Sequence, residues 1–77
     1  MLTSVDDIRK FNEISKKERQ VLQLVAEGEK TRIIAEKLGV SVKTIETHRR
    51  NIMNKLSIFS IAGLTKFAIN EGIVSLD

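Results

Sequence analysis

Between Lys43 and Asn54 the chain places Lys43, Glu46, Thr47, Arg50 and Asn54 at intervals that share one face of an α-helix. The side-chain types decide what that face can do. Arg50 can donate two parallel hydrogen bonds to a planar pair of acceptors such as guanine O6 and N7. Glu46 can accept from an amino group such as cytosine N4, and Thr47 offers a hydroxyl and a methyl that suits thymine. Glu46 has a plainer alternative, an intrahelical ion pair with Arg49 or Arg50 worth about 0.2–0.5 kcal/mol. These are groups for recognition and not for making bonds. The chain has no Cys and a single His, and its few carboxylates are scattered. It therefore offers no nucleophile–base pair, no metal cluster and no Gly-rich phosphate loop. Neither an enzyme nor a cofactor is expected, and His48 reads as a structural residue beside the core.

Charge identifies the partner class. Of 13 Lys/Arg and 10 Asp/Glu in 77 residues, residues 30–56 hold seven against two, a net +5. The segments before and after are each −1. A surplus confined to one stretch marks a surface that faces a polyanion. Lys43, Thr44, Arg49 and Lys55 suit phosphate contacts, as do Lys30, Thr31 and Arg32 at the start of a preceding helix, where free backbone N–H groups also attract anions.

These residues need a scaffold, and seventy-seven residues without disulfides must build it from aliphatic packing. Absent Pro and only four Gly favour helices. Residues 1–13 read as a linker or an extra N-terminal helix, with a stripe at Leu2, Val5, Ile8 and Phe11. Ser15 and Glu18 form a capping-box pattern that opens the first firm helix, which buries Val21, Leu22, Leu24 and Val25 and stops at Gly28. A second helix starts at Lys30 or Thr31 and runs to about Leu38. Gly39 and Val40 then lead to Ser41 as the next N-cap. So short a connection forces two helices to cross steeply, with small Ala35 at the approach and Val40 and Ile45 filling between them. That is a helix-turn-helix. The third helix spans about residues 42–56, with Ile45, Ile52 and Leu56 inward and the polar face opposite. A fourth begins near Ser60, buries Leu64, Phe67 and Ala68, and stops at Gly72. The fold class expected is all-α, a compact four-helix domain over residues 14–77 with a central helix-turn-helix whose third helix enters the major groove of double-stranded DNA.

From Ile14 to Leu56 the chain resembles the LuxR-type, or GerE-like, DNA-binding domain of NarL/FixJ-class response regulators and quorum-sensing activators. The resemblance rests on Ser15, Glu18, Val21, Leu22, Ala26 and Gly28, then Ile34-Ala35, Leu38 and Ser41. It continues through Lys43-Thr44-Ile45, His48, Ile52, Lys55 and Leu56. The resemblance implies base contacts at Glu46, Thr47 and Arg50, and phosphate contacts near Thr31, Thr44 and Lys55. It also implies a homodimer through the fourth helix, on whose exposed side lie Ala62, Thr65, Lys66 and Ile69. The chain departs from the family pattern at Lys30-Thr31-Arg32-Ile33, where a capping box is lost, at Lys17, and at Ile61, where an Arg is usual. By analogy, an upstream receiver or ligand-sensing domain and RNA polymerase are further partners. No apolar run approaches the ~18 residues of a membrane span and no signal-peptide core is present, so a cytoplasmic location is expected. Two alternatives are a promoter-binding domain like region four of a sigma factor and a helix-turn-helix used for protein–protein contact.

Overall fold

The computed structural model describes residues 13–73; the stripe read at Leu2, Val5, Ile8 and Phe11 lies outside them. Four helices follow in order: α1 (Lys16–Ala26), α2 (Thr31–Leu38), α3 (Val42–Leu56) and α4 (Ile61–Asn70). There is no strand among the described residues, so the all-α expectation holds. Three of the four helix starts have a local side-chain cause. Ser15 Oγ accepts from the Glu18 N–H, and the Glu18 carboxylate accepts from the Ser15 N–H, completing the capping box. Ser41 caps α3 through the Thr44 N–H, and Ser60 caps α4 through the Gly63 N–H. Only α2 lacks a side-chain cap, since Lys30 stands at its N-cap position. The lost capping box at this position has that consequence.

The helix-turn-helix corner is made by one backbone conformation. Gly39 sits at φ 69°, ψ 33°, and the Val40 N–H then reaches back to the Ala35 carbonyl at 3.0 Å. This left-handed stop lets the chain leave α2 and start α3 within three residues. At the end of α3 a serine does the same job. Ser57 holds φ 56°, ψ 38°, and no other non-glycine among the described residues has positive φ.

α1 is the hub, packing on α2, α3 and α4, while α2 packs on α3. Val21 and Leu22 from α1 meet Ile34, Ile45, Ile52 and Leu64 from the other three helices, all essentially inaccessible to solvent. Burying each such side chain stabilises the fold by about 1.5–3 kcal/mol. Three of these residues or their neighbours, Ile45, Ile52 and Leu56, belong to α3. They clamp the inner stripe of that helix, so its outer face is held in a fixed orientation. An Ile45→Ala change would cost about 2–5 kcal/mol, a large part of what so small a domain has.

Candidate nucleic-acid interface

With the inner stripe of α3 buried, Lys43, Glu46, Thr47, Arg50 and Asn54 are all exposed on the other side. Glu46 forms no ion pair with Arg49 or Arg50; the ion pairs among the described residues include Lys37–Glu29 and Lys55–Glu18. The side chains of Arg50, Lys43 and Glu46 make no hydrogen bond among the described residues. Thr47 is different, because its hydroxyl donates to the Lys43 carbonyl at 3.1 Å. That bond fixes the Thr47 rotamer and leaves its methyl and an oxygen lone pair facing out.

Arg49 is turned to the flank of α3. It is half-buried, and its Nη1 donates to Thr31 Oγ1 at 2.8 Å. The bond ties α3 to the first residue of α2. It also sets a guanidinium beside the uncapped N-terminus of α2, where Lys30 and Arg32 are exposed. Lys30, Thr31 and Arg49 line one cleft there beside the Glu29 carboxylate, and N–H groups without a side-chain cap add to its attraction for an oxyanion. Thr44 is less free: its hydroxyl shares a 2.9 Å hydrogen bond with Ser41, which caps the helix. His48 is half-buried on the other flank and makes no hydrogen bond among the described residues.

Lys55 is engaged inward. Its Nζ donates to Glu18 Oε1 at 2.7 Å and to the Glu13 carbonyl at 3.2 Å. Glu18 is buried, and the same carboxylate holds the cap of α1. Burial pushes the Glu18 carboxyl up, but the Lys55 ammonium and the Ser15 N–H and hydroxyl outweigh it and hold the group below 4.5. A phosphate contact by Lys55 has to share that ammonium with Glu18. Spacing on α3 could not announce this bond, because its partner is 37 residues away in sequence.

On α4, Ala62 and Lys66 are exposed and Thr65 and Ile69 half-buried, on the side opposite Leu64, Phe67 and Ala68. The Thr65 hydroxyl donates to the Ile61 carbonyl at 2.9 Å. One exposed residue had no role assigned from sequence. Phe59, in the connection from α3 to α4, is 69% exposed. It borders an open cleft of about 490 Å³ with Glu46, Arg49, Arg50, Met53 and Asn54. An aromatic between two serines in a four-residue connection was the available signal.

No single helix among the described residues is long and apolar enough to cross a membrane. Comparison with known proteins agrees with the geometry. Residues 12–68 match the family described as bacterial regulatory proteins, luxR family. The chain is 44% identical over 62 residues to the transcriptional regulatory protein MctR of Rhizobium johnstonii, covering 80% of this chain and 29% of that protein. It is 42% identical over 65 residues to the response regulatory protein YgeK of Escherichia coli, covering 84% of this chain and 44% of YgeK. It is likewise 42% identical over 64 residues to the oxygen regulatory protein NreC of Staphylococcus carnosus, covering 83% of this chain and 30% of NreC. The solved structure of the response regulator StyR superposes with a TM-score of 0.79 at 36% identity, over 82% of this chain and 32% of that one. The chain thus spans less than half the length of these relatives. Fold, helix-turn-helix and comparisons converge: the chain belongs to the luxR family of bacterial regulatory proteins, as a helix-turn-helix domain of the response-regulator class.

Proposed function

We propose that this domain binds double-stranded DNA sequence-specifically as the output module of a transcriptional regulator, with α3 in the major groove. The observation that carries this reading is the outer face of α3. Glu46, Thr47 and Arg50 project from a helix whose other side is locked by Ile45, Ile52 and Leu56. The Glu46 and Arg50 side chains have no partner among the described residues, so they reach a groove without first breaking a bond. Arg50 reads guanine, Glu46 accepts from a base amino group, and Thr47 presents its methyl to thymine.

Lys30, Thr31, Arg32, Lys43, Thr44, Arg49 and Lys55 hold phosphates and set the register. Lys55 is the one member of that set whose charge is already balanced internally. The family makes a homodimer through α4 the expected form on DNA, with Ala62, Thr65, Lys66 and Ile69 in the contact. The relatives' greater length supports an upstream receiver or sensing domain that controls access to α3 or α4, and RNA polymerase as a downstream partner in the cytoplasm.

Selecting sites from a random duplex pool is the direct test. A recovered two-fold motif is expected, and Arg50→Ala should relax preference at one base pair at a cost of about 1–3 kcal/mol on the selected site. Equal weakening on selected and random duplexes would make Arg50 a phosphate contact instead. Sedimentation with the selected duplex should give two domains per site, and one domain at saturation defeats the dimer.

A further inference from the structure

Phe59 is the most exposed large apolar residue of the described chain, at 69%, and its surroundings hold it there. The connection between α3 and α4 is fixed residue by residue. Ser57 adopts the left-handed conformation that closes α3, and the Ile58 N–H then donates to the Met53 carbonyl at 3.1 Å. Ile58 packs against the core, and Ser60 caps α4. Gly63 allows the close approach: a Cβ there would lie 2.6 Å from Ile58 Cγ2. With Ile58 turned in and Ser60 committed to the cap, Phe59 is left turned out. Its ring forms one wall of the cleft whose other walls carry Arg49, Arg50, Glu46 and Asn54. Arg49 reaches from this cleft to Thr31 at the uncapped start of α2. Arg49 borders both this cleft and the one at the start of α2.

We propose that Phe59 is a DNA-contacting residue, packing on the deoxyribose surface of the strand whose phosphates Arg49 and the start of α2 hold. The inference rests on the DNA-binding reading above. Charge complementarity selects the occupant, since the cleft carries two arginines and one carboxylate. The ring adds an apolar contact to an otherwise ionic backbone clamp. A phosphate-holding lysine releases a counterion when it binds, and a phenyl ring does not. Because sugars are alike at every base pair, the contact strengthens binding without choosing a sequence.

The test titrates the 77-residue chain and its Phe59→Ala variant against the selected duplex and a random-sequence duplex over a range of salt. Phe59→Ala should weaken both complexes by about tenfold, with the slope of log affinity against log salt unchanged. Phe59→Leu should recover part of the loss, while Phe59→Lys should steepen the slope by about one. An unfolding midpoint equal to wild type shows that the fold is intact. Unaltered affinity of Phe59→Ala at every salt concentration overturns the proposal. A loss that instead accompanies failure to dimerise off DNA overturns it too. Failure of the wild-type chain to prefer any duplex sinks the DNA-binding reading itself, which separates the two.

Discussion

Arg50 and Lys55 stand five residues apart on α3, which turns them roughly 140° away from each other around the helix. Both are cations on the most basic segment of the chain, and by composition alone they are interchangeable. The structure uses them in opposite ways. The Arg50 side chain projects from the outer face with no partner among the described residues. Lys55 reaches down to α1 and neutralises a buried carboxylate that is also a helix cap. One end of α3 is thus available for a ligand, and the other is spent on holding the helix. The same division separates Lys43, whose side chain is exposed and has no partner among the described residues, from Arg49, which is tethered to Thr31. A cation near DNA counts toward binding only to the extent that the fold has not already used it.

Stability should separate the two residues most widely. Lys55→Met leaves Glu18 buried without its cation, and should cost about 1–3 kcal/mol. That figure is below the value for a fully buried pair because Lys55 itself is 37% exposed. Arg50→Met removes no internal bond and should stay within about 0.5 kcal/mol of wild type. Urea unfolding of both variants measures the contrast, and equal losses would erase it. The pH dependence sharpens the point. The Glu18 carboxyl is held below its ordinary value, so its contribution is fully present above that value and is lost as pH falls through the depressed one. Wild type should lose stability on acidification through and below pH 4.5, while Lys55→Met loses less over the same interval. The two curves should converge once Glu18 is protonated, and parallel curves would mean that Lys55 acts elsewhere.

DNA binding gives a smaller contrast of the opposite sign. Lys43→Ala should shallow the salt dependence by about one, as expected for a free cation that meets a phosphate. Lys55→Ala should shallow it less, because Glu18 already balances its charge. A full unit of change for Lys55 would show that the ammonium serves both partners.

What could be read in advance follows the range of the interactions. Ser15, Glu18, Ser41 and Ser60 act on residues three positions away, and Gly39 acts on its own backbone, so helices and corner were legible from local pattern. The inner stripe of Ile45, Ile52 and Leu56 follows from helical period, and with it the outer face. Lys55 with Glu18 and Arg49 with Thr31 depend on how α1, α2 and α3 dock, at separations of 37 and 18 residues. No periodicity carries that information. Phe59 was missed for a related reason: whether a loop aromatic turns in or out is settled by Ile58 and Gly63 packing beside it.

The end of α3 offers the smallest effect and a check on how firmly its two roles are joined. Ser57, two residues beyond Lys55, holds φ 56° with a side chain that favours the ordinary helical or extended regions. Its hydroxyl makes no hydrogen bond among the described residues, so nothing local offsets the strain. Glycine adopts this conformation without a Cβ clash, though it also gives the unfolded chain more freedom. The difference should leave Ser57→Gly more stable by about 0.5–1 kcal/mol, read as a higher urea midpoint. Since the Ser57 side chain makes no hydrogen bond to the outer face or to the Glu18–Lys55 pair, affinity for the selected duplex should stay as it was. A gain in stability with a fall in affinity would mean that the strained end positions the outer face of α3, and the free and committed ends of that helix could then no longer be treated as separate.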